Sequence, residues 1–259
     1  VTHAVSILAA FLLFGAEAKS PGLASYEKAN ALFVAKKFPE ALVAVEEALK
    51  LDPKLLPALT LFAKMAMAAN HFDAARTSLE QAIEVAPASG YAQFLYGLNF
   101  YLSNDLRMAL PQFEKAHRLQ PNDPRAALYL GLTDESLGKT TEALALYEES
   151  VRLSPQAETY VTGARLLFLL GRFDQCETWL REALKLSPSS REGHFEYARL
   201  LLEKGDFARA AREGEQALAL PGSVPTDAQI HYLLVRAYRN VRPEQAAKHA
   251  EAIRNLDAK

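Results

Sequence analysis

Prolines recur along this sequence at a nearly constant interval: Pro53, Pro87, Pro121 and Pro155 stand 34 residues apart, and Pro188 and Pro221 each follow after 33. Each closes a similar stretch, such as Ala48-Leu49-Lys50-Leu51-Asp52-Pro53 or Ala183-Leu184-Lys185-Leu186-Ser187-Pro188. In both, an apolar helical stripe runs into a residue that has no amide hydrogen and cannot continue the helix. A chain with this period repeats one small unit. Each unit is too short to bury its own apolar side, so neighbouring units must stack.

Small residues keep the same phase. Five places before each proline stand Ala48, Ala82, Ala116, Ser150 and Ala183, and twelve places before stand Ala41, Ala75, Ala109, Ala143 and Cys176. A third set, Ala29, Ala63, Gly97, Gly131 and Ala164, lies 24 places before. Turn signals such as Asn70-His71, Asn104-Asp105, Gly138-Lys139 and Gly171-Arg172 fall between these markers. Small side chains at a fixed phase let two backbones approach closely, so each unit reads as a helix, a tight turn and a second, antiparallel helix.

This pattern resembles the tetratricopeptide repeat, whose period of 34 and small-residue, Phe and Pro pattern it shares over roughly Gly22 to the C-terminus. The resemblance implies an all-α fold, an α-solenoid forming a right-handed superhelix of about seven antiparallel helix-turn-helix units. The expected units lie near 22–55, 56–89, 90–123, 124–156, 157–190 and 191–227, with a C-terminal capping unit over 228–259. Its last helix alternates Ala with Lys, Glu, His and Arg, the polar outer face that a terminal unit requires.

The first residues differ in kind. Ala4 to Phe14 is an uncharged apolar run, followed by Gly15 and by Ala16-Glu17-Ala18. The run is too short to cross a bilayer, which takes about 20 residues as a helix, and Ala-x-Ala suits a peptidase that accepts small residues. Residues 1–18 therefore read as a signal peptide cleaved after Ala18, with 19–21 as a linker and the mature chain exported, periplasmic or secreted. The alternatives are an uncleaved membrane anchor and a hydrophobic helix docked on the first unit.

Lys and Arg total 29 against 31 Asp and Glu, a net charge of -2. Such a balance excludes non-specific nucleic-acid binding, which needs a basic field. The single cysteine, Cys176, rules out an intramolecular disulfide and occupies a small, buried phase of the repeat. Gly138-Lys139-Thr140 fails as a phosphate loop because six residues, not four, separate Gly131 from Gly138, and no strand precedes them. The six histidines show no His-x-x-x-His pair, and no nucleophile-and-base constellation appears. The reading is thus non-enzymatic, with no cofactor and no metal.

Local exceptions carry their own expectations. Pro111, within a second helix, should delay or kink it. Asp174-Gln175-Cys176-Glu177 reads as a capping box. Gly214 should weaken its helix, and Pro221 to Pro225 is the longest break and the expected hinge.

By resemblance, the first helices line a concave groove. Its positions carry over to Tyr26, Thr60, Phe94, Leu128, Val161, Phe195 and Tyr232; then Asn30, Lys64, Leu98, Leu132, Arg165, Arg199 and Arg236; then Phe33, Met67, Tyr101, Glu135, Phe168, Leu202 and Arg239. Tyr91 joins Phe94, Leu98 and Tyr101 in an aromatic and aliphatic cluster, while the C-terminal half carries a file of arginines. An apolar groove anchors bulky side chains and guanidiniums hold carboxylates, so the implied partner is a peptide segment of another protein. The competing reading packs the aromatics within the fold and pairs Arg199 with Glu203. Self-association as a scaffold is the alternative function. One subgroup of the family grips chaperone C-termini with a Lys, Asn and Arg set. Only Asn30 matches it here; Tyr26, Leu61, Tyr91 and Leu95 lack the donors.

Overall fold

The computed structural model describes residues 20–239 and 241–257; the expected signal peptide, residues 1–18, lies outside them. Contacts divide the chain into two compact bodies, the first ending at Pro121 and the second starting at Asn122. The first contains α1 (Leu23–Val34), α2 (Phe38–Leu51), α3 (Leu56–Ala68), α4 (Phe72–Val85), α5 (Gly90–Leu102) and α6 (Leu106–Leu119). The second contains α7 (Pro124–Ser136), α8 (Thr140–Leu153), α9 (Ala157–Leu169), α10 (Phe173–Leu186), α11 (Arg191–Glu203), α12 (Phe207–Ala219), α13 (Asp227–Tyr238) and α14 (Pro243–Asp257). Among the described residues the fold is all-α, seven helix pairs in chain order, as the period requires.

The proline ladder acts as read. Helices α2, α4, α6, α8, α10 and α12 each stop two residues before their proline, and the intervening Asp52 is extended at φ -142° and ψ 92°, the conformation that a following proline favours. The first six pairs each turn by one residue in the left-handed region: Lys36, Asn70 and Asn104 in the first body, Gly138, Gly171 and Gly205 in the second. The amide after each reaches back five residues, as in Lys37 N–H to Leu32 O at 2.9 Å and Arg172 N–H to Leu167 O at 2.9 Å. This is the Schellman closure, which satisfies carbonyls a helix end would otherwise strand.

Small residues set the spacing within pairs. A methyl group on Gly97 would sit 2.7 Å from the Phe113 ring, and one on Gly131 would sit 2.8 Å from Tyr147; both rings are fully buried. Where the small position is polar, it is satisfied: Ser150 donates to Pro124 O at 2.9 Å and Cys176 Sγ–H to Ala164 O at 3.2 Å. The core of the second body gathers Leu166, Leu167, Leu180, Leu200 and Leu201, and the first packs Val45, Leu61 and Met65 among alanines.

Three local expectations change. Of the two outcomes expected at Pro111, delay is excluded, because α6 starts at Leu106 and holds Pro111 inside it; its cap is Asp105, whose carboxylate accepts from Met108 N–H at 3.2 Å. The capping box at Asp174 does not form: α10 begins at Phe173, which places Asp174 inside the first turn and turns Glu177 toward other helices. Nor is the break after α12 a hinge. Arg191, 6% exposed, donates to Leu220 O at 2.6 Å and to Pro225 O at 2.9 Å and pairs with Asp227, so one guanidinium straps down the connection. Gly214 leaves no gap, since Leu234 and Leu233 press against it.

Candidate functional site

In the first body α1, α3 and the start of α5 enclose a cleft of ≈ 260 Å³. It gathers four of the residues marked from sequence, Tyr26, Asn30, Lys64 and Tyr91, with Leu56, Pro57, Thr60, Leu61 and Ser89. Pro57 opens the α3 helix, where a missing amide hydrogen costs nothing. Thr60 turns its hydroxyl back on Leu56 O and Pro57 O, each at 3.1 Å, and offers the cleft only its methyl. Lys64 lies with Nζ 5.0 Å from the centre of the Phe33 ring, an arrangement that steadies the cation without neutralising it. Among the described residues Lys64 has no carboxylate partner. The cleft lining therefore presents one uncompensated ammonium and the Asn30 amide together with the Tyr26 and Tyr91 side chains, a chemistry that suits an acidic group flanked by apolar side chains.

The rest of the marked aromatics behave differently. Phe94 is 4% exposed, its ring 5.9 Å from Phe113, and Tyr101 meets the same ring edge-on at 6.4 Å. Phe94 is a core residue that a ligand cannot reach, because Phe113 draws it inward; Leu98 stays half-buried.

On the second body two of the three arginines of the file, Arg165 and Arg199, are already paired. Arg165 Nη1 lies 3.2 Å from Glu192, and Arg199 Nη1 lies 2.6 Å from Glu196 while its guanidinium covers the Phe168 ring at 4.7 Å. Arg199 thus pairs with the carboxylate three residues before it, not with Glu203. Burial pushes the Glu196 carboxyl above its usual range, against the pull of Arg199 and Arg165. Arg236 and Tyr232 remain exposed on α13.

A second set of charges ties α10 to α11 and α12. Glu177, 9% exposed, accepts from Lys204 Nζ at 2.6 Å, from Arg181 at 2.5 Å and from the Tyr197 hydroxyl at 3.2 Å. The Lys204 hydrogen bond, ahead of the opposing effect of burial, holds the carboxyl below its ordinary value. Beside it the Cys176 thiol is pushed up to about 12 by burial, so it carries no nucleophilic chemistry at neutral pH. Among the described residues no group of three or more His, Cys, Asp or Glu could hold a metal, and no helix is long and apolar enough to cross a membrane.

The sequence reading missed a larger apolar cavity of ≈ 610 Å³ behind the first cleft, walled by Phe33, Phe38, Leu42, Phe62 and Met65. It opens because Ala66 and Ala74 stand where the next unit has Phe100 and Met108. Phe38 and Val43 nearby are 50% and 67% exposed.

Models of the tetratricopeptide repeat match residues 32–96 and, in three further segments, 98–158, 162–225 and 198–258. No curated protein matches the chain. Among solved structures, a chain of the APC/C heterotetramer Cut9–Hcn1 superposes with a TM-score of 0.73 at 18% identity over 90% of this chain, which spans only 45% of that one. PilW, described as a widely conserved type IV pilus biogenesis factor, gives 0.72 at 20% identity, covering 82% of this chain and 98% of its own. YrrB, described as having an unusual peptide-binding site, gives 0.53 at 20% identity over 68% of this chain and 92% of its own.

Proposed function

The chain belongs to the tetratricopeptide repeat family, and from that premise we propose that it is a non-enzymatic adaptor that takes a peptide segment of another protein into the cleft of its first body. The observation that carries this reading is the uncompensated Lys64 ammonium, set in the cleft lining with Asn30, Tyr26 and Tyr91. A preformed cleft leaves mainly the ligand to be ordered. An acidic side chain or terminal carboxylate meets Lys64, and its apolar neighbours lie on the two phenol rings. The peptide-binding site described for YrrB, a fold relative only, is in keeping with this use of the fold.

The test is a peptide-display selection against the protein, followed by affinity measurement of the selected sequences. Lys64→Ala should weaken them about tenfold, close to 1.4 kcal/mol, and leave stability unchanged; an equal affinity for the variant removes the cleft from the account.

Export belongs to the same proposal and rests on Ala4 to Ala18 alone. N-terminal sequencing of the protein recovered from cells should begin at Lys19, and a chain that retains its first residues would overturn it. The exposed Phe38 and Val43 beside the apolar cavity favour a second reading, self-association as a scaffold. Sedimentation separates the two, since a scaffold gains mass with concentration and an adaptor stays monomeric.

A further inference from the structure

The last helix pair carries a cluster that neither the groove nor the cleft uses. His231 on α13 and His249 on α14 face each other with Nδ1 atoms 2.9 Å apart. The other nitrogen of His249, Nε2, lies 3.1 Å from Glu215 Oε1 on α12, and the Tyr238 hydroxyl donates to the same oxygen at 3.2 Å. Tyr238 also stacks on the His249 ring, 5.7 Å between centres and 2° from parallel. Both the plane and the tautomer of His249 are therefore held: Glu215 takes the Nε2 hydrogen, which leaves a lone pair at Nδ1 to accept from His231.

From this geometry we propose that the two imidazoles form a proton-operated latch that docks α14 at neutral pH and releases it on acidification. A contact of 2.9 Å between two ring nitrogens needs one hydrogen and one lone pair. It survives one added proton, because the shared hydrogen can then belong to either ring. A second added proton sets N–H against N–H and places two cations in contact. The groups facing the pair from the packed helices are Glu215 from α12 and Asp227 and Tyr238 from α13, with Arg242 beside Tyr238. Glu215 and Asp227 favour charging His231, yet Asp227 is already engaged by Arg191. Burial first, and His249 second, hold His231 below the ordinary histidine value.

Sign and location both follow. A histidine whose folded value is depressed takes its proton more readily once its helix is free, so docking is complete above the ordinary value near 6.5 and is lost as pH falls through that range. Little else holds α14, since Ile253 is its one buried side chain among those described. The neighbouring pair responds oppositely. His194 on α11 has Nδ1 2.7 Å from Glu213 and Nε2 3.0 Å from Pro188 O, two acceptors that favour the charged ring, and its value is raised chiefly by Glu213. Acid therefore frees α14 while tightening α11 on α12.

Amide hydrogen exchange on the full chain tests the latch. Between about pH 7.5 and about pH 5, α14 should lose roughly tenfold or more of its protection after correction for intrinsic rates, while α11 keeps its own. His231→Asn keeps an N–H near the Nδ1 position and cannot be charged, so its α14 should stay protected at both values. Equal protection of wild-type α14 at both, or a variant that loses protection as the wild type does, overturns the proposal. An NMR titration covers the case in which the variant fails to dock: His231 should charge below the ordinary histidine value, and α14 resonances should be lost on acidification. Wild-type α14 resonances that persist down to about pH 5 would overturn it too, as would tightening of α14 by zinc at neutral pH, which would make the pair metal ligands instead.

Discussion

The two bodies answer the same repeat positions in different ways. In the first, the middle groove row supplies Lys64, which meets a ring but, among the described residues, no carboxylate; in the second it supplies Arg165 and Arg199, each bound to a glutamate of α11, and the exposed Arg236. The turns differ as well. The first body places Lys36, Asn70 and Asn104 in the left-handed region, where a side chain is strained, and the second uses Gly138, Gly171 and Gly205 in its first three pairs. The first body thus leaves surface and conformational energy uncommitted, whereas the second spends two of its three middle-row arginines on holding itself together. Recognition falls to the less self-satisfied region, because a donor already paired must be released before it can serve a ligand.

That contrast can be broken at four points. Arg191→Ala should have the largest effect, about 3 kcal/mol in urea denaturation, because the carbonyls of Leu220 and Pro225 lose their buried donor and Asp227 its cation. The first body should unfold as before. Next comes Arg199→Ala, which strands the buried Glu196 carboxylate and should cost the second body about 1–2 kcal/mol, discounted for the partial exposure of Arg199. Equal small losses for Arg199→Ala and Lys64→Ala would erase the distinction between the two charged rows.

Replacing Lys36 by Gly should stabilise the first body by about 1 kcal/mol, and Gly171→Ala should cost the second a similar amount, both read from thermal midpoints. The smallest effect lies in pH. Because the His194 value is raised, its contribution is complete below the ordinary histidine range and is lost as pH climbs through the higher folded value. His194→Gln should flatten that segment of the stability profile and leave in place the acid limb, to which the lowered Glu177 carboxyl contributes.

How much of this was legible depended on whether the cause was periodic. Helix pairs, their ends at the prolines and the buried phase of Cys176 all follow from a repeat that constrains every unit alike. Asn30 and Lys64 could be aligned for the same reason, since neighbouring first helices bring equal phases together, with Tyr26 one turn before; Tyr91, grouped with Phe94, Leu98 and Tyr101, joins them only in the structure. Partner choice is not periodic. Arg199 takes Glu196 over Glu203, and His231 finds His249 from 18 residues away, because side-chain reach across two helices decides each pairing. The Asp174 capping box failed by two residues of helix start, which no spacing rule resolves. The ≈ 610 Å³ cavity arises from what Ala66 and Ala74 omit, and an omission leaves no pattern to read.

Cys176 has a practical consequence. It is the chain's single sulfhydryl, 1% exposed and held as a neutral thiol up to about pH 12. Alkylating dyes and spin labels react with thiolates, so the native protein is a silent background for them. A cysteine introduced at the exposed Tyr232 or Val43 would be tagged alone, with no residue removed first.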